Sequence, residues 1–292
     1  MVDRQAERRG DMSAVAKAVW FIEGQFNRSP SLDDIARASG TSRFNLSRAF
    51  TWTTGTSVMA YVRGRRLTEA YKALCNGAPS ILGVALEAGY GSHEGFTRAF
   101  RDQFGITPDE ARKGCPIDER LLVKPIKMED MTMTQLKEPQ TRHRDAMILV
   151  GLGARFRMDT AENIPALWQK FQQYEGSVDE VPGYWYGVCG DWGETGEDFF
   201  YMAGVEVLSE PADLPPELTT YKIPAQSYLV FRHDEHISQL RQTMAAIFER
   251  YLPENGYDPS AMKTYFEFYE EKFDPRTGLG GIELWMPATK KE

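Results

Sequence analysis

The 292-residue chain holds three cysteines (Cys75, Cys115, Cys189) and four histidines, and neither type clusters. Without a CxxC pair or a group at ligand spacing, the sequence argues against both a disulfide scaffold and a structural zinc site. No metal or cofactor is therefore expected, and free thiols suit a reducing cytoplasm. No apolar run approaches the ~18 residues of a membrane span, so no membrane partner is expected. The opening MVDRQAERRGDM has no apolar core, which argues against a secretory leader. A Ser/His/Asp or metal constellation is also missing, so the chain is not expected to be an enzyme.

What is present is an ordinary soluble composition, 42% hydrophobic and 26% charged, in a length that suits two domains. The net charge of −8 is unevenly spread. Residues 1–114 carry 16 Lys and Arg against 12 Asp and Glu, and the rest carries 18 against 30. A basic front and an acidic back suggest different partners for the two halves.

One phrase is written twice. SRAFTWTTG at 47–55 and TRAFRDQFG at 97–105 share Arg48, Phe50 and Gly55 with Arg98, Phe100 and Gly105. Upstream of each lies a short amphipathic segment that ends on glycine: Ser31 to Gly40 in the first copy, Ser80 to Gly89 in the second. Ser31 and Ser80 are good N-caps, Asp33 and Asp34 suit a first turn, and Gly40 and Gly89 suit a left-handed C-terminus. Each copy thus reads as helix, glycine turn, helix, with a small Ala36 or Ala85 where the two helices cross. Two copies without a third argue against a solenoid. Between them TSVMAYVRGRRLTEAYKALCNG reads as one helix of roughly 30 Å, close to the ~34 Å between successive major grooves on one side of a duplex.

Ser31 to Arg112 resembles the AraC/XylS-type DNA-binding domain. The resemblance is carried by Ile81, Ala85, Gly89, Phe96, Arg98, Phe100, Gly105, Pro108 and Arg112, and by Arg66, Leu67, Ala70 and Leu74 in the connecting helix. Gly64 departs from the pattern; inside a helix it costs roughly 1 kcal/mol relative to alanine and is expected to bend or loosen the rod. The order also departs, since this domain usually ends a chain and here begins one, as in Rob-like regulators. With Leu46, Ala49 and Phe50 inward, Arg43, Asn45, Ser47, Arg48 and Trp52 fall on or beside the outer face of the first recognition helix. His93, Glu94, Thr97 and Arg98 do so in the second. Arg suits guanine, Asn adenine and Glu cytosine N4, and the resemblance points to the same positions.

After GCPIDERLLVKPIKMEDM at 114–131, read as a linker, the periodicity changes. TMTQLKE and AMILVGLGARF read as strands, ENIPALWQKFQQYEG as a helix, and GYWYGVCG and EDFFYMAGVEV as strands. The order then recurs with TTYKIPAQSYLVFRH, a helix over 236–250, KTYFEFYEE and GLGGIELWMP. The expected domains are 10–113, DNA-binding; 114–131, linker; and 132–292, effector-binding. The expected fold class is an all-α domain of two helix-turn-helix units joined by a long helix, followed by an α+β domain of two strand-strand-helix-strand-strand repeats.

That layout resembles the GyrI-like effector domain, in which paired copies enclose a ligand groove. Alternation in YFEFY puts Tyr265, Glu267 and Tyr269 on one face and Phe266 and Phe268 on the other. The phenylalanines are expected under the helices, and the carboxylate between two tyrosines is expected to face a groove and bind a hydrophobic cation. By the resemblance Trp168, Trp185, Tyr186 and Tyr201 are its neighbours. The reading that follows is a transcription regulator whose partners are double-stranded DNA, a small amphipathic or cationic effector, and RNA polymerase as a further candidate. The resemblance leaves open a GyrI-like hydrolase using Glu and Tyr, or a drug-sequestering protein, fused to a DNA-binding domain.

Overall fold

The structure is a computed structural model that describes residues 13–127 and 134–290. Two compact units result: the described residues of 1–46 and 56–131 make the first, those of 47–55 and 132–292 the second. Residues 10–12 of the expected DNA-binding domain and 128–131 of the expected linker lie outside the described residues.

The helices start and stop where short-range chemistry directs. α1 (Ala14–Gln25) is capped by Ser13, and α2 (Leu32–Ser39) by a capping box in which Ser31 and Asp34 exchange hydrogen bonds. Gly40 ends α2 in the left-handed region at φ 71°. α3 (Arg43–Thr54) follows, with Ser42 Oγ accepting from the Asn45 amide at 3.2 Å. α4 (Val58–Cys75) is the 18-residue rod, capped by Ser57. α5 (Ile81–Glu87) and α6 (His93–Phe104) form the second helix-turn-helix, capped by Ser80 and Ser92, with Gly89 left-handed between them. α7 (Pro108–Arg112) opens on a Thr107–Glu110 capping box. Phe96, Phe100 and Phe104, one helical turn apart on α6, pack with Leu67, Leu74, Val84 and Ala85.

Gly64 does not break the rod. Val123 lies against it, and a Cβ at residue 64 would stand 2.5 Å from Val123 Cγ2. The segment read as a linker is therefore a strap, at least from Ile117 to Ile126. The Val123 amide donates to Thr68 Oγ1 at 2.9 Å and the Ile126 amide to Tyr61 OH at 3.0 Å. Arg65 donates to the Val123 carbonyl at 3.1 Å, and Ile117 and Leu122 join the core under α4. Glycine here makes room for another part of the chain.

The second unit is built on eight antiparallel strands in the order β1-β6-β8-β7-β3-β4-β2-β5. They are β1 (Gln140–Arg144), β2 (Met147–Arg157), β3 (Tyr184–Gly190), β4 (Asp198–Val207), β5 (Leu218–Ile223), β6 (Gln226–His233), β7 (Tyr265–Glu270) and β8 (Ile282–Pro287). α8 (Ile164–Phe171) lies between β2 and β3 in the chain. Between β6 and β7 run α9 (Leu240–Ala246), a π-helical turn at Ile247–Tyr251, and α10 (Leu252–Glu254). Exchanging the two repeats maps the strand order onto itself. β3 and β7 join the halves at the centre, and the first strand of each repeat pairs in the other, β1 with β6 and β5 with β2.

Two expectations fail here. Residues 134–139 of TMTQLKE and its continuation have no regular structure, and the first strand is the polar QTRHR, held by its pairing with β6. Residues 132 and 133 lie outside the described residues. The faces of β7 are also reversed. Tyr265 and Tyr269 share a core with Leu167, Phe171, Met244 and Phe248 of the helical segments, while Phe266 packs on the other face with Tyr186, Tyr228 and Trp285. Both faces of this strand are aromatic, so alternation separates them without saying which one meets the helices.

Candidate effector site and nucleic-acid interface

On α6 the period brings the expected DNA-facing residues together. His93, Glu94 and Arg98 are exposed and Thr97 is half-buried, while Phe96 and Phe100 are buried. On α3 the outcome differs. Arg43 is exposed and pairs with Asp33 at 3.2 Å, and Asn45 is half-buried. Ser47 and Arg48 are 0% and 1% exposed, and the half-buried Trp52 packs on the aromatic core of the second unit. The expectation of an open outer face at Ser47 and Arg48 is thus not met. The helix period does set Arg48 opposite Leu46 and Phe50 and puts Ser47 at their flank, but both positions are covered. The Arg48 guanidinium carbon lies 4.2 Å from the ring centres of both Trp192 and Phe248 and 5.5 Å from that of Tyr265. Nη1 donates to the carbonyls of Met262 at 3.3 Å and Pro259 at 3.5 Å. Burial lowers its pKa.

The candidate effector site centres on Glu267. Its side chain is buried on the helix-facing side of β7, and the hydroxyls of Tyr201 and Tyr269 each donate to its Oε2 at 2.7 Å. Trp168 Nε1 donates to Tyr201 OH at 3.0 Å, and the Trp168 ring stands edge-on to Tyr269 with centres 5.1 Å apart. Opposite Glu267 on β3 is Gly187, flanked across β4 by Ala203. A Cβ at Gly187 would stand 2.2 Å from Tyr201 OH and 2.5 Å from Glu267 Oε2, so the missing side chain leaves the carboxylate its room. Burial pushes the Glu267 pKa up, opposed by the two tyrosine hydrogen bonds. Burial and the adjoining carboxylate push both tyrosines well above their ordinary range. Among the described residues no Lys or Arg is hydrogen-bonded to Glu267. The arrangement is a desolvated carboxylate ringed by aromatics, which suits a cation with an apolar body.

Of the expected neighbours, Trp168, Tyr201, Tyr265 and Tyr269 share this side, and Trp185 is set opposite Tyr269 in register. Tyr186 does not belong to it. It pairs with Phe268 on the other face, where its hydroxyl donates to Glu206 at 2.7 Å and accepts from Arg144 at 2.7 Å. Three residues beside Glu267 or Arg48 were missed: Gly187 against Glu267, and Trp192 and Phe248 on Arg48. A glycine inside the strand pattern GYWYGVCG was a usable signal for the first. The other two lie outside any strand and carried none. No group of residues that could hold a metal ion occurs among the described residues, and none of their helices is long and apolar enough to cross a membrane.

Residues 137–289 match the family described as GyrI-like small molecule binding domain, and residues 35–114 match a helix-turn-helix domain family. The Right origin-binding protein of Escherichia coli (strain K12) is 35% identical over 119 residues, 41% of this chain and 41% of that protein. Transcriptional regulator BrlR of Pseudomonas aeruginosa is 30% identical over 147 residues, 49% of this chain and 53% of that protein. The probable transcription factor PqrA of Proteus vulgaris is 42% identical over 95 residues, 32% of this chain and 78% of that protein. The chain thus spans about two fifths of the length of the first of these relatives.

Proposed function

Since the chain belongs to the GyrI-like family over residues 137–289 and carries the helix-turn-helix domain of AraC/XylS-type regulators over 35–114, we propose that it is a DNA-binding transcription regulator controlled by a hydrophobic cation. The observation that carries the ligand class is Glu267. Two phenols donate to its Oε2, which leaves Oε1 for a ligand, and buried apolar and aromatic side chains surround it. A cation entering there replaces lost water around the carboxylate with an opposite charge and ring faces.

DNA recognition rests on α6, whose exposed His93, Glu94 and Arg98 and half-buried Thr97 present donors and acceptors on one face. Arg43 and Asn45 serve the first recognition helix in the same reading. Control of transcription makes RNA polymerase the further partner and the cytoplasm the compartment. Glu267 serves here as an anchor for charge and not as a catalytic base, so no turnover belongs to this reading.

The test is titration of the full chain with methyltriphenylphosphonium and with its neutral analogue triphenylphosphine oxide. Glu267→Gln keeps the shape and removes the charge. A charged, partly desolvated interaction is worth roughly 1.5–3 kcal/mol, so the cation should bind about ten- to a hundredfold more weakly to the variant. The neutral analogue should lose much less. Equal losses for both ligands would remove the electrostatic role.

A further inference from the structure

Arg48 occupies a built cage. Trp192 and Phe248 stand at equal distances of 4.2 Å on its guanidinium carbon, and Tyr265 closes a third side at 5.5 Å. Trp192 is itself stacked on Phe199, with ring centres 4.7 Å apart and planes 20° from parallel. Each of the two close rings is delivered by an irregular piece of backbone. Phe248 lies in the π-helical turn Ile247–Tyr251, and Trp192 follows Asp191, a non-glycine residue at φ 45°. Such conformations are costly and persist where the surroundings hold them, often at binding sites.

The cage adjoins the Glu267 site. Tyr265 and Glu267 are two residues apart on β7, which puts their positions about 6.6 Å apart on one face. A flat, delocalised, weakly hydrated cation can stack on two rings at once, as an ammonium cannot. We propose that Trp192, Phe248 and Tyr265 form a second subsite for planar cations of the guanidinium and amidinium class, and that Arg48 is its built-in occupant, displaced when such a ligand binds. This rests on the effector-site reading of Glu267 and names the ligand class more closely. Arg48 belongs to α3, and the resemblance assigns that position to DNA. Cage and DNA then draw on one side chain, so that ligand binding and DNA binding are linked.

The experiment uses the full chain and phenylguanidinium as the probe, with neutral phenylurea as its planar analogue, read by calorimetry and by tryptophan fluorescence. Arg48→Met vacates the cage of charge and should bind phenylguanidinium at least tenfold more tightly than the wild type, with less than a twofold change for phenylurea. Adding Trp192→Leu to Arg48→Met should abolish that gain. Arg48→Gln is read in the same way, so a folding failure of the methionine variant does not shelter the proposal. Unchanged or weaker phenylguanidinium binding in a folded Arg48 variant overturns it, as does an equal gain for phenylurea, which would report only an enlarged cavity. If methyltriphenylphosphonium binding still depends on Glu267 in that case, the cage falls and the effector site stands. If neither cation binds any variant, both fall.

Discussion

Gly64→Ala puts two effects of opposite sign against each other. In an exposed helix interior, glycine to alanine stabilises by roughly 1 kcal/mol. At residue 64 the new Cβ would stand 2.5 Å from Val123 Cγ2 and 3.2 Å from Val123 Cβ, well inside contact distance, and a β-branched side chain has little freedom to step aside. Relief requires the strap to lift. That endangers the bonds from the Val123 amide to Thr68, from Arg65 to the Val123 carbonyl, and from the Ile126 amide to Tyr61. At roughly 0.5–1.5 kcal/mol each, their loss exceeds the helix gain, and the net expectation is a destabilisation of about 1–3 kcal/mol. For a domain of this size that lowers the melting temperature by roughly 5–15 °C. The assay is calorimetric melting of the full chain in two backgrounds, wild type and Val123→Ala. With the valine methyls gone, Gly64→Ala should turn neutral or stabilising, so the two changes couple. A rise in melting temperature of the same size in both backgrounds would show that the strap does not hold residue 64.

Glu267 should make stability and ligand affinity respond to pH in opposite directions. Its pKa is raised by burial, so the fold prefers the protonated form. Its contribution to stability is full below the unfolded pKa and is lost as pH rises through the folded one. Cation affinity should instead rise with pH over that window, and Glu267→Gln should flatten both slopes; identical slopes in wild type and variant would sink the idea. For α6, Arg98→Ala should cost about 1–3 kcal/mol at the cognate site and far less on scrambled DNA. Equal losses on both would reduce Arg98 to a phosphate contact.

The helical unit was legible because its signals act over a few residues. Ser31 with Asp34, Thr107 with Glu110, and the left-handed Gly40, Gly89 and Gly105 settle helix ends within one turn of themselves. Alternation likewise put Tyr265, Glu267 and Tyr269 together, because a strand's period is a local property. Placing Tyr186 needed the β3–β7 register, in which Gly187 and not Tyr186 is opposite Glu267. Choosing the helix-facing side of β7 needed the position of α8 and α9, since rings line both sides. Gly64 read alone was a weakness, and Val123, 59 positions on, makes it a contact. Arg48 shows the limit most sharply. Its carbonyl partners lie 211 and 214 residues away, and its two close rings come from a π turn and a loop without any repeating pattern. Sequence determined which face of each helix and strand a side chain occupies, because that follows from backbone period. What each face meets was decided by tertiary structure, because burial depends on atoms brought in from distant parts of the chain.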